Sequence, residues 1–164
     1  MTIQTQRLEL VLLTTHQLKL WFEDIAALEN ELNCTYKAEP LEGVFLDIVK
    51  NQYEVTKNDP DNYLYHSFFF IIRKSDRIVV GSADFKNVPN EKGEVEIGYG
   101  LGAEYEHNGY MTEAVKGMCA FALAREDITA VIAETEVDNF ASQRVLQRCG
   151  FKKYKQDETM WWRL

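Results

Sequence analysis

The sequence predicts a single α/β (α+β) domain in which a mixed, mostly antiparallel sheet is covered by helices. Three observations carry this. Apolar, β-branched and aromatic runs follow one another at Ser67–Arg73, Arg77–Phe85 and Glu94–Leu101, separated by turn chemistry at Ser75-Asp76 and at Pro89–Gly93. From Met111 the pattern switches to helical spacing, and no linker, repeat or low-complexity tract divides the 164 residues.

Taken in order, Leu8–Leu13 after Arg7 reads as a strand. Thr14 or Thr15 is suited to cap a helix that carries Leu18, Trp21, Phe22 and Ile25 on one side. A second helix follows Pro40, with Leu41, Phe45, Ile48, Val49 and Tyr53 at helical spacing, and the segment Lys57–Asn62 punctuates its end. The three apolar runs form an antiparallel meander. Met111, Ala114, Val115, Met118, Cys119 and Ala122 then make one apolar stripe, a helix packed on the sheet. Ala130–Val137 reads as a strand, Asn139–Cys149 as a helix stopped by Gly150, and Phe151–Leu164 as one or two closing strands.

Composition narrows the function. Eighteen basic against 26 acidic side chains give a formal charge of −8, which repels phosphate backbones and makes nucleic acid an unfavourable partner. The same field attracts cations, amines among them. The longest apolar runs fall far short of a bilayer span and the N-terminus has no leader pattern, so a cytoplasmic protein without membrane attachment is expected. Cys34, Cys119 and Cys149 are odd in number and far apart, which suggests free thiols with neither a disulfide framework nor a metal site.

The strand Glu94–Gly102 is poor in side chains in its second half, with glycines at 98, 100 and 102. Glycine inside a strand marks a bulge or a close approach to the backbone. Glu106-His107-Asn108-Gly109-Tyr110-Met111-Thr112 then leads straight into the amphipathic helix, so its amides lie unpaired at a helix N-terminus, a ready site for an anion such as a pyrophosphate. Neither a Walker loop nor a GxGxxG spacing is present. A bulged strand and an ordinary glycine turn would also account for these residues.

Three blocks in this order, Glu94–Leu101 (EVEIGYGL), Tyr105–Ala114 (YEHNGYMTEA) and Glu134–Phe151 (ETEVDNFASQRVLQRCGF), resemble the GCN5-related N-acetyltransferase (GNAT) superfamily and, within it, the branch of the ribosomal-protein N-terminal acetyltransferases RimJ and RimL. Arg7-Leu8-Glu9-Leu10 is similar to the start of that branch. The resemblance implies a GNAT-like sheet with a splayed central strand pair. Pantetheine of acetyl-CoA, the cosubstrate, would enter the gap beside Tyr99, Gly100 and Leu101, while His107, Asn108, Gly109, Tyr110, Met111 and Thr112 hold the pyrophosphate. It places Asn139 against pantetheine and Ser142 near the thiol, as candidate acid for the departing thiolate. Read without it, Asn139 is a helix cap and Ser142 a solvated helix residue. Glu106 and Met111 depart from the family's loop, and those departures sustain an alternative, a noncatalytic acyl-CoA-binding module.

The implied function is transfer of acetyl to a primary amine, on a small molecule or a protein N-terminus, by direct attack in a ternary complex. An ammonium near pKa ~10.4 must first lose its proton. Glu96 and Glu134 are the candidate bases, with ordered water left open, and an amide near Tyr99–Leu101 is a candidate donor to the developing oxyanion. The variable helical region and the strand bearing Trp161 and Trp162 are expected to line the amine pocket, alternation sending one indole inward. A homodimer is compatible with the exposed surfaces.

Overall fold

The computed structural model describes residues 1–164. Its strands are β1 (Thr2–Gln4), β2 (Leu8–Leu12), β3 (Thr35–Tyr36), β4 (Phe68–Arg73), β5 (Ile78–Phe85), β6 (Glu94–Leu101), β7 (Ala130–Glu136), β8 (Lys152–Gln156) and β9 (Thr159–Arg163). The helices are α1 (Thr15–Glu23), α2 (Ile25–Leu32), α3 (Gly43–Asn58), α4 (Tyr63–His66), α5 (Tyr110–Leu123) and α6 (Phe140–Arg148). Strand order is β1-β2-β4-β5-β6-β7-β9-β8, with the two-residue β3 added beside β5. All pairings are antiparallel except β3 with β5 and β6 with β7. No helix is long and apolar enough to cross a membrane.

The sheet has apolar side chains on both faces, as unbroken apolar strands require. In β4, Phe69 and Ile71 join a core with α5, α6 and β7, while Phe68, Phe70 and Ile72 join a second core with α1–α3. Trp21 anchors the second core, its indole set edge-on to Phe45, Phe68 and Phe70 at centroid distances of 5.6, 5.5 and 4.8 Å. The stripe predicted from Met111 to Ala122 is buried along its whole length.

Local signals explain most boundaries. Thr14 caps α1 in a capping box with Gln17. The helix expected to run through Ile25 instead breaks at Asp24, which ends α1 and accepts a hydrogen bond from Ala27 N to begin α2. Gly150, at φ 93°, stops α6. The chain from Phe151 forms a hairpin, with β9 inserted between β7 and β8. The edge strand β1 and the single turn α4 were not foreseen, since three or four residues carry no measurable period.

Candidate functional site

The central feature is a fork. β6 and β7 pair only at Glu94↔Ala130, Val95↔Val131 and Glu96↔Ile132. Beyond that, Ile97–Leu101 pair with Phe85–Gly81 of β5, and Ala133–Glu136 pair with β9, so the two strands part. Val80 is an extra residue on β5, where the register with β4 shifts between Ile71 and Ile72. The bulge bends β5 behind the parting strand. Gly81 is required there, because a Cβ would stand 2.5 Å from the carbonyl oxygen of Gly100.

Two cavities meet at the mouth of the fork and share Tyr99, Gly100, Asn139 and Ser142. The smaller, about 430 Å³, lies toward α5 and α6 and includes Leu101, His107, Gly109, Tyr110, Met111 and Thr112. Asn108 instead folds back on its own loop, its side-chain amide donating to the carbonyls of Tyr105 and Glu106 at 3.2 and 3.0 Å, and it does not line the cavity. The amides from His107 to Thr112 have no acceptor within the chain; the first helical bond at this end is Glu113 N to Gly109 O, 3.0 Å. The loop is wound through two left-handed residues, His107 at φ 66° and Gly109 at φ 76°. This is why small residues suit both positions, although histidine is among the side chains that tolerate the left-handed region. Glu106 lines this cavity, as do Arg144 and Arg148 one turn apart on α6.

The loop is tied down from behind. Arg7 donates through Nη1 to Asn108 O at 2.9 Å and through Nε to Glu113 Oε1 at 2.7 Å, while its guanidinium lies 4.6 Å over the Tyr110 ring. Burial opposes ionisation of Glu113, but hydrogen bonds from Thr5 and from the Arg7 amide and guanidinium outweigh it and hold the carboxyl below its ordinary value. The arginine of the opening Arg-Leu signature therefore secures the loop before α5 across more than one hundred residues of chain.

The larger cavity is a cleft of about 680 Å³ on the opposite face of β6, walled by Val44, Phe45 and Ile48 of α3 and by Gly98, Gly100 and Glu134. Sequence reasoning missed two carboxylates here. A Cβ on Gly98 would meet Asp84 Oδ1 at 2.8 Å, and one on Gly100 would meet Glu39 Oε2 at 3.3 Å, so the glycines make room for acids from β5 and from the segment before α3. Burial pushes the Asp84 carboxyl up to about 6, with Lys86 opposing and Glu96 adding to the rise. Pairing of β5 with β6 was predictable, but which β5 side chain would reach the fork was not.

Each sequence-predicted residue has a definite place. Asn139 caps α6, its Oδ1 accepting from Ser142 N at 3.1 Å, and it also borders both cavities. Ser142 Oγ lies 2.8 Å from the Tyr99 hydroxyl. Burial pushes the Tyr99 phenol up to about 12, the bond to Ser142 working against the rise and Cys149 and Cys119 adding to it, so the hydroxyl keeps its proton at neutral pH. Glu134 lines the cleft and accepts from Thr159 Oγ1 at 2.7 Å. Glu96 does not line it; Lys86 Nζ holds it at 3.1 Å. Trp162 is inward, its Nε1–H donating to Thr135 Oγ1 at 3.0 Å, and Trp161 is half-buried. Neither indole lines the cleft, whose apolar wall comes from α3. Burial pushes the Cys149 thiol up to about 11 and Cys119 up to about 12, which suits inert core thiols rather than nucleophiles.

The arrangement resembles known proteins. YjdG, an uncharacterized N-acetyltransferase of Bacillus subtilis strain 168, is 28% identical over 152 residues, covering 87% of this chain and 90% of the relative. An acetyltransferase from Salmonella typhimurium that modifies the N-terminal serine of ribosomal protein L7/L12 shares the fold at a TM-score of 0.70 and 16% identity, covering 100% of this chain and 98% of its own. RimL, the ribosomal L7/L12 α-N-protein acetyltransferase solved with coenzyme A, matches at a TM-score of 0.69 and 18% identity, covering 100% and 97%. The family model for the acetyltransferase (GNAT) domain matches residues 7–152, a span that holds the fork, the loop and both cavities. With its sheet forked at Glu96 and unpaired amides beyond, the chain belongs to the GNAT family of N-acetyltransferases.

Proposed function

We propose that the chain transfers acetyl from acetyl-CoA to a primary amine by direct attack in a ternary complex, and the single observation that carries this is the fork joining an amide-lined cavity to an acidic cleft. The smaller cavity fits the nucleotide end of the cosubstrate. The amides of His107–Thr112 grip the pyrophosphate, Arg144 and Arg148 add positive charge, and the pantetheine arm lies along the free edge beside Tyr99, Gly100 and Leu101. Asn139 keeps its cap through Oδ1 and offers its Nδ2 to the arm.

The bound thioester supplies an activated acetyl carbonyl at the junction of the two cavities. A main-chain amide of the parted β6 edge faces its oxygen. Ser142, hydrogen-bonded to the protonated Tyr99 hydroxyl, stands where the departing sulfur needs a proton. The acceptor enters from the larger cleft, and a carboxylate of that cleft receives the ammonium proton, Glu134 being the wall carboxylate that the sequence nominates. The acceptor is a small-molecule amine or a protein N-terminus. Similarity to enzymes that act on ribosomal-protein N-termini supports the second at the level of fold.

The test is thiol release from acetyl-CoA across a panel of amines, beside calorimetric binding of CoA. Saturable, amine-dependent release is expected. Tight CoA binding without turnover on any amine would replace this reading with an acyl-CoA-binding module.

A further inference from the structure

The acceptor cleft holds more negative charge than the removal of one proton requires. Glu39, Asp84 and Glu134 line it, and the one lysine present, Lys86, is engaged by Glu96. Asp84 is the distinctive member. Its carboxylate makes no hydrogen bond or ion pair within the chain, sits over Gly98 beside the stem of Lys86, and keeps only partial exposure where it borders the cleft. An enclosed carboxylate without a partner is costly unless a cation or donor arrives. The groups around it are Lys86 on its own strand, Glu96 on β6, Glu39 before α3 and Glu134 on β7; α3 contributes only the neutral Gln52 and apolar side chains.

The second carboxylate lies over the next glycine on the same face of the strand. Gly98 and Gly100 lie on one face of β6, about 6.6 Å apart along the strand. Asp84 stands over the first and Glu39 over the second. Val44 and Ile48, both exposed, with Phe45 beside them, give apolar surface along the same wall. Two anions separated by a short apolar stretch complement two cations joined by a short alkyl spacer.

Building on the acetyltransfer reading above, we propose that the acceptor carries a second cationic group, with Asp84 receiving the attacking nitrogen's proton and Glu39 holding the distal charge. The ammonium passes one proton to the Asp84 carboxylate and becomes a nucleophile. Its lone pair forms the C–N bond as the C–S bond breaks. The second nitrogen proton reaches the thiolate sulfur through Ser142, giving amide and free thiol, and Asp84 returns the first proton to solvent. The elevated value of Asp84 suits this task, since a base near neutrality both accepts and releases readily.

The test is steady-state thiol release with acetyl-CoA saturating, comparing butylamine, diaminobutane and a peptide whose second residue is lysine. kcat/KM for a dicationic acceptor is expected to exceed that for butylamine by about tenfold or more, the worth of one hydrogen-bonded charge pair. Glu39→Gln should bring that ratio down toward unity. Asp84→Asn should depress turnover and abolish the acid limb near pH 6, with Asp84→Glu restoring part of it. Preference for diaminobutane or for the peptide identifies the source of the second charge. Equal rates for butylamine and both dications, a ratio unmoved by Glu39→Gln, or an acid limb retained in Asp84→Asn would overturn the proposal. Release with none of the amines, despite CoA binding, would instead remove the transferase reading beneath it.

Discussion

The two cavities share a wall but are built by opposite means. The smaller uses main chain: a row of amides presented by one continuous loop and the start of α5, with arginines added from α6. The larger uses side chains gathered from β5, β7, α3 and the segment before α3. Under the proposed acetyl transfer the linked phosphates are the same whatever the acceptor, so fixed backbone geometry suits them. An acceptor is particular to each member, and interchangeable side chains on a common frame set it. Substitutions in the first cavity should therefore act alike on every acceptor, and those in the second should change selectivity and pH response.

The sharpest break in that comparison is Asp84→Asn. Its turnover should fall by about a hundredfold or more, as expected for loss of a general base, while the folded state gains stability. An aspartate exposed in the unfolded chain titrates near 3.9, and the folded value of about 6 lies above it. Below about pH 4 the native carboxyl is protonated and costs nothing; the penalty grows through the interval and is complete above about 6. Removing the charge should thus raise unfolding free energy at pH 7 by about 1–3 kcal/mol, and the gain should vanish near pH 4. Urea titrations at the two pH values measure it.

On the other side, Gly109→Val forces a branched residue into φ 76°, a cost of about 1–3 kcal/mol. The expected result is a KM for acetyl-CoA raised by about five- to a hundredfold, with the ranking of amines unchanged. Arg7→Ala removes the bonds to Asn108 O and Glu113 and should weaken CoA binding by about fivefold, measured by calorimetry. The smallest effects belong to Arg144→Ala and Arg148→Ala, a few-fold each at low salt and fading as salt rises, as exposed charges do. An acceptor preference that moved with any of these substitutions would break the division between the cavities.

That division also explains what the sequence made legible. The strand glycines, the loop and its helix are contiguous, so order along the chain made the amide row legible and the apolar stripe of α5 announced its own burial, whereas the fork was expected only through the family resemblance. Asn139 and Ser142 share one helical turn, but only the resemblance singled them out; by themselves they read as a helix cap and a solvated residue. Asp84 and Glu39 were not, because each matters only through its nearness to a glycine on another segment, and nothing at either position distinguishes it from a solvated acid. Arg144 and Arg148 were not singled out, because spaced one turn apart on an amphipathic helix they look like its solvated face; the fold brings them to the smaller cavity. Trp161 and Trp162 drew attention by residue type, yet the sheet's register sends one into the core and leaves the other off the cleft.

β6 changes partner in mid-strand, stitched to β7 as far as Glu96 and to β5 from Ile97 onward. Both halves are locked by ladder bonds, and the bulge at Val80 fixes the bend behind them. The angle of the gape is consequently a product of folding rather than of ligand arrival. Under the proposed acetyl transfer, association would then spend little on prying strands apart, and the ladders on either side would hold the reacting carbon and nitrogen face to face.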